Sequence, residues 1–230
     1  MNKIAAIIPF KEKSLGLKGK NFKKISNLHL YEITLLQALN SKKINKVYIS
    51  TDTKKILKKY KNNPKISIIE RPKKYCRKES STEDAILHLL NNSDLQKYYN
   101  TLVLLQVTSP LRKKLDIDSA IKYFNKKKLD SLFSANLLED FLFWAEQNKK
   151  LKSLNYDYRK RDIRQNRKKQ FLENGSLYVF NIEKFLKEKN RLFGNIGFYC
   201  MDLWQQFEID NFEDYKFCKE VFKLYRKKIL

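Results

Sequence analysis

Cysteine is scarce and odd in number: Cys76, Cys200 and Cys218 are the three in 230 residues, widely separated and without a C-x-x-C pair. That excludes a disulfide-built scaffold and a cysteine zinc site, and it fits a reducing compartment. With 5 glycines and 4 prolines, collagen-like and linker-rich architectures are excluded as well. No apolar run approaches the roughly 18 residues that a membrane-spanning helix needs. The apolar stretch from Ile4 to Phe10 is too short for a secretory leader and runs straight into Lys11-Glu12-Lys13. The expectation is a soluble, cytoplasmic chain without membrane contact. Arginine is the least expected shortage, with 9 residues against 40 lysines in a chain of net charge +24. Arginine supplies the forked contacts that read bases and grip phosphates, so the excess charge reads as a solvated cationic surface. Nucleic acid is therefore not expected as a partner. Four arginines (Arg159, Arg161, Arg164 and Arg167) nevertheless fall within nine residues.

What is present is a globular balance, 42% apolar and 32% charged, in a chain long enough to bury one sizeable core. Continuous apolar runs at Ile4 to Ile8, Val47 to Thr51, Ile66 to Ile69 and Leu102 to Leu105 predict strands buried on both faces. Helical patterns lie between them, over Leu28 to Leu39, Thr53 to Tyr60, Thr82 to Leu90 and Asp116 to Phe124. Strands alternating with helices imply an α/β fold with a mostly parallel sheet. The pattern breaks over 136–172. There Phe141 to Ala145 suggests an antiparallel strand before a very basic stretch, so this segment reads as an insertion, a flap or a dimerisation arm, in a single domain over 1–230. Gly175 to Phe180 returns to strand character, and Phe212 to Tyr225 predicts a closing helix.

Ligands in an open parallel sheet bind beyond the carboxyl ends of the strands, so the informative residues follow each apolar run. After the first comes a lysine-rich turn holding Lys11, Ser14, Gly16, Gly19, Lys20 and Asn21. Its small residues permit close backbone approach and its lysines suit phosphate oxygens, although lysine-rich surface describes it equally well. It is neither G-x-G-x-x-G nor a Walker loop. After the fourth run, Gln106-Val107-Thr108-Ser109-Pro110-Leu111-Arg112 occupies the crevice position, and also reads as a capped turn into the next helix. Asn174-Gly175 has the form of a hairpin turn. Glu208 and Asp210, two residues apart, share one face if extended; they then suit one Mg²⁺, or equally a solvated edge.

Taken in order, these segments resemble a family. Lys11-x-x-Ser14-x-Gly16-x-x-x-Lys20-Asn21, Ser50-Thr51-Asp52, Arg71-Pro72, Ser80-Ser81-Thr82 and Gln106-x-Thr108-Ser109-Pro110-Leu111-Arg112 are similar to segments of the acylneuraminate cytidylyltransferases, to which the CMP-Kdo synthases are related. Arg164-Gln165, Glu173-Asn174-Gly175-x-x-Tyr178 and Glu208-Ile209-Asp210 continue the match. The first loop departs from the family pattern, with Lys11 for an arginine, Glu12-Lys13 for a glycine pair and Leu15 for a second basic residue. Lys78 and Glu208 each replace an aspartate. The resemblance implies a Rossmann-like nucleotidyltransferase that couples CTP to a nonulosonic acid of sialic, legionaminic or pseudaminic type, releasing pyrophosphate. It implies catalytic roles for Lys11, Lys20 and Asp210, nucleotide contacts from Lys11, Ser14, Lys20, Asn21, Arg71 and Ser81, and Mg²⁺ held by Asp210 and Glu208. It further implies sugar contacts from Gln106, Thr108, Ser109, Arg164 and Asn174. A homodimer is also implied, with Phe141, Phe143 and Trp144 available as apolar contact area. Two alternatives stand beside it: transfer to a different sugar acid or polyol phosphate, motivated by the altered loop, and a non-catalytic nucleotide- or RNA-binding module, motivated by the arginine cluster and the charge.

Overall fold

Ile4–Pro9 (β1) sits at the centre of the sheet because both of its faces are apolar. Alternation sends Ile4, Ala6 and Ile8 into one core layer and Ala5 and Ile7 into the other. A computed structural model describes residues 3–13, 16–60 and 62–230. From β1 the chain runs through a short hairpin, Lys24–Ile25 (β2) and Leu28–His29 (β3), into Leu30–Asn40 (α1), Lys46–Thr51 (β4), Lys54–Lys59 (α2) and Ile66–Glu70 (β5). Thr82–Asn91 (α3), Leu95–Tyr98 (α4), Thr101–Leu105 (β6) and Asp116–Lys126 (α5) complete the first half. The second half comprises Ser131–Leu138 (β7), Trp144–Gln147 (β8), Lys150–Ser153 (β9), Gln170–Asn181 (β10), Ile182–Glu188 (α6), Ile196–Met201 (β11) and Phe212–Ile229 (α7).

Seven strands form the central sheet in the order β11-β7-β10-β6-β1-β4-β5. All neighbours are parallel except β10, which runs antiparallel to both β6 and β7. The fold is thus α/β and Rossmann-like, as the alternation of strands and helices predicts. Among the described residues no helix is long and apolar enough to cross a membrane.

Three boundaries differ from the sequence expectation. The excursion from the sheet spans 139–169, narrower than 136–172, because β7 extends to Leu138 and β10 begins at Gln170. Within it β8 begins at Trp144, and its hairpin with β9 turns at Asn148 and Lys149, both at positive φ (53° and 59°) as a tight two-residue turn requires. Asn174-Gly175 is not a hairpin turn: it lies inside the continuous twelve-residue β10, where the register with β7 shifts between Glu173 and Tyr178. Gly175, at φ +64°, supplies the conformation that this bulge needs.

Candidate active site

The carboxyl ends of β1, β5 and β6 open onto one cleft of about 370 Å³, which the turn after β1 overhangs. Lys11, Lys20, Asn21, Arg71, Ser81, Gln106, Thr108 and Asp210 line it, so eight of the residues singled out in the sequence converge there. Each is placed by its local backbone. Lys11 Nζ donates to the Arg77 carbonyl at 2.7 Å, and the Glu12 amide donates to Asp52 Oδ1 at 2.7 Å, so the lysine-rich turn is tied down across the cleft. Asn21 is buried and its Nδ2 donates to the Lys11 carbonyl at 2.8 Å. Arg71, only 4% exposed, follows β5 and donates from Nη2 to the Phe10 carbonyl at 2.8 Å. Ser81 is the N-cap of α3: its hydroxyl accepts from the Asp84 amide at 3.0 Å, and Asp84 accepts in return from the Ser81 amide at 2.8 Å.

The acidic pair reaches the cleft as an irregular loop rather than a strand. Ile209 is fully buried and pins the loop, and its amide donates to the Thr108 carbonyl at 2.9 Å. Asp210 projects outward with its side chain 69% exposed and forms a salt bridge to Lys20 at 2.9 Å. The main chains also meet, since the Leu17 amide donates to the Asp210 carbonyl at 3.0 Å. A Cβ on Gly16 would lie 2.1 Å from that carbonyl oxygen, so only glycine lets the turn approach this closely. Glu208 points the other way, into a half-buried position where burial, and next the charge of Asp210, push its carboxyl above the usual range.

Glu208 lines a second cavity of about 300 Å³ with Gln106, Glu173, Asn174, Gly175 and Tyr178. Gln106 is common to both cavities, which places them side by side. Asn174 is 3% exposed and braced within the fold: its Oδ1 accepts from Ser134 Oγ at 2.5 Å and its Nδ2 donates to Asn136 Oδ1 at 2.7 Å. The Tyr178 hydroxyl donates to Glu173 Oε1 at 2.5 Å.

Not every singled-out residue faces open space. Ser109 is 1% exposed and its hydroxyl donates to Glu208 Oε1 at 3.3 Å, so it lies beneath the carboxylate rather than on a cavity wall. Ser14 lies outside the described residues. The side chain of Arg164 does too; its backbone forms a short turn with Gln165 and Asn166 at the root of the insertion. Sequence reasoning passed over Ser80 and Thr82 in the first cleft and Glu173 and Tyr178 in its neighbour, while Lys13, part of the altered loop, also lines the first cleft. Ser80, Thr82, Glu173 and Tyr178 stand inside the motifs quoted above, beside residues that were chosen. Arg112, in the same position, is wholly buried.

Comparison with known proteins gives the same direction. The cytidylyltransferase family model matches residues 5–229. The chain is 28% identical over 239 residues to post-translational flagellin modification protein B of Campylobacter coli, covering 97% of this chain and 96% of that one. It is 28% identical over 217 residues to the CMP-N,N'-diacetyllegionaminic acid synthase of Campylobacter jejuni, covering 88% of each. It is 26% identical over 213 residues to an N-acylneuraminate cytidylyltransferase of Streptococcus agalactiae, covering 89% of this chain but 49% of that longer protein. Among solved structures, a CMP:2-keto-3-deoxy-manno-octonic acid synthetase in complex with CTP superposes with a TM-score of 0.69 at 11% identity, over 97% of this chain and 99% of that one, a likeness of fold. With a family match over nearly its whole length, this chain belongs to the cytidylyltransferase family and is a nucleotidyltransferase.

Proposed function

We propose that the chain activates a nonulosonic acid, transferring CMP from CTP to the sugar's anomeric hydroxyl with release of pyrophosphate. The observation that carries this reading is the junction of Lys20 and Asp210, where a cationic turn and an acidic loop 190 residues apart meet at one edge of the cleft. A magnesium triphosphate needs that combination, cations for its oxygens and a carboxylate for its metal. The relatives named for N-acylneuraminate and diacetyllegionaminic acid support the class of sugar.

In this arrangement Asn21, Arg71 and Ser81 hold the nucleotide, and Lys11 and Lys20 meet its phosphates. Gln106, at the boundary between the two cavities, and Thr108, in the first, orient the acceptor beside Asn174, and Ser109 acts through Glu208. Asp210, which faces the cleft, would hold Mg²⁺; Glu208, expected beside it, faces the neighbouring cavity instead. A single carboxylate fits that ion, which is commonly held by one or two while phosphates and water complete its shell. When bound, the metal neutralises phosphate charge and lowers the pKa of an attached hydroxyl. Exposed Phe141, Phe143 and Trp144 in the insertion offer the contact area of a homodimer in the cytoplasm, which light scattering checks.

The direct test incubates the protein with CTP, Mg²⁺ and a series of nonulosonic acids, Kdo and polyol phosphates, following pyrophosphate. Release with a nonulosonic acid supports the proposal. Release only with another acceptor, or only with another nucleotide, contradicts it.

A further inference from the structure

Arg112 is 0% exposed, yet among the described residues no carboxylate pairs with it. Its guanidinium donates to five neutral oxygens: Gln37 Oε1 at 3.0 Å, the Gln106 carbonyl at 3.1 Å, the Ser176 carbonyl and hydroxyl at 2.8 and 3.1 Å, and Thr34 Oγ1 at 2.9 Å. Burial pulls its pKa down to about 9, and the charges of Asp116 and Glu208 act in the opposite direction. A buried cation without an ion pair is expensive, and well-packed apolar residues often replace buried ions at no loss of stability. Stability alone therefore gives little reason for an arginine here.

Its contacts give a better one. They join α1, the segment following β6 and the bulged stretch of β10. The second of these carries Gln106 and Thr108, and the third holds Gly175, against which Glu208 packs. The post-β6 segment is gripped from outside as well: Gln37 Nε2 donates to the carbonyls of Pro110 and Arg112 at 3.0 Å each, and Gln205 Nε2 to that of Leu111 at 2.9 Å. Arg71 and Ser81 stand after β5 and at the start of α3, which Arg112 does not touch.

We propose that Arg112 is a positioning residue for the acceptor half of the site, holding Gln106 and the Ser176–Glu208 wall in register so that the sugar hydroxyl meets the nucleotide, while touching neither substrate. The proposal rests on the cytidylyl transfer proposed above. It assigns a selective effect: loosening this joint harms placement of the acceptor and spares binding of CTP.

The test compares the full chain with Arg112→Lys and Arg112→Met, with Thr34→Val, which keeps the guanidinium but removes one acceptor, and with Gln37→Met, which removes one acceptor and the two bonds Gln37 donates to the Pro110 and Arg112 carbonyls. Lysine has three donors in place of five and does not span these oxygens. CTP affinity without acceptor, kinetics towards the acid, and amide exchange of residues 105–112 and 174–178 are measured on each. For the Arg112 variants, kcat/KM for the acceptor is expected to fall roughly 10- to 100-fold, the size of a small misplacement of reacting groups, with CTP affinity held within about twofold. Exchange is expected to quicken in those two segments and not in α3. Thr34→Val and Gln37→Met are expected to show the same split at smaller size, and they decide the matter if the Arg112 variants do not fold. Equal losses in CTP affinity and acceptor kcat/KM, or no change in either, overturn the proposal. If the wild-type chain turns over none of the acids, the functional proposal falls and exchange decides Arg112: selective loosening supports the brace, uniform or absent change refutes it.

Discussion

Along the cleft wall proposed to face the nucleotide, Lys11, Asn21, Arg71 and Ser81 are held by main-chain carbonyls and a helix cap after β1 and β5 and at the start of α3. Along the opposite wall, Gln106, Asn174 and Glu208 depend on buried polar side chains bonded to one another: Arg112 reaches Thr34 across 78 positions, and Ser109 reaches Glu208 across 99. The first wall also spans long stretches of sequence, but its bonds end on main-chain carbonyls that the sheet itself positions at its strand ends. The second must be assembled by tertiary packing, and buried polar networks of this kind hold their geometry only when every member is satisfied. One wall tolerates local change, and the other propagates it.

The largest expected effect lies where the walls meet. Asp210→Ala removes the exposed acid and is expected to lower turnover by roughly 10³-fold, as loss of a group that stabilises transition-state charge does. Folding should hardly change, because exposed ion pairs contribute only about 0–1 kcal/mol. Pyrophosphate release and a melting curve check both halves, and near-normal turnover would exclude Asp210 from the chemistry. Gly175→Ala attacks the packed wall instead. The +64° φ costs an L-residue about 1–2 kcal/mol, and its Cβ would lie 1.8 Å from Glu208 Oε1. A fall of roughly 2–8 °C in Tm, together with reduced acceptor turnover, is expected. Unchanged values would mean that Glu208 moves freely.

Ser81→Ala probes the local wall. Losing the N-cap costs about 1 kcal/mol, so Tm should fall roughly 2–4 °C while KM for CTP rises and KM for the acceptor holds. A rise in the acceptor's KM alone would erase the distinction between the walls. The smallest effect is one of pH. Burial raises the Asp116 carboxyl above its ordinary 3.8, against hydrogen bonds from Gln205, Lys113 and Tyr199. Between 3.8 and that raised value the folded chain keeps a proton that the unfolded chain has lost, so stability falls as pH rises through the window. Asp116→Asn is expected to flatten this part of the Tm-against-pH curve, and an unchanged slope would assign it to other groups.

The same contrast explains what was readable in advance. Strands β1, β4, β5 and β6 and helices α3 and α5 were legible because their apolar periodicity is a local signal. β7 was not: Ser131, Ser134 and Asn136 face inward and break the pattern, each satisfied by a distant group, the Phe193 carbonyl, Asn174 and the Met201 carbonyl. On α1 the apolar pattern over Leu28 to Leu39 has no place for Thr34 and Gln37, yet both are buried beside Ile33 because Arg112 claims them. Asn174-Gly175 looked like a hairpin because a bulge and a type I′ turn ask for the same positive φ. The cationic turn and the acidic pair were each visible as residues. Their junction depends on Gly16 lying against the Asp210 carbonyl, a contact that no spacing rule contains.

That junction is tested most directly by a double-mutant cycle on kcat/KM for CTP, using Lys20→Met, Asp210→Asn and the pair together. If both side chains serve one magnesium triphosphate, the double variant should lose little more than the worse single variant, as groups acting as a unit do. Losses that simply add would contradict a shared ligand at this edge of the cleft.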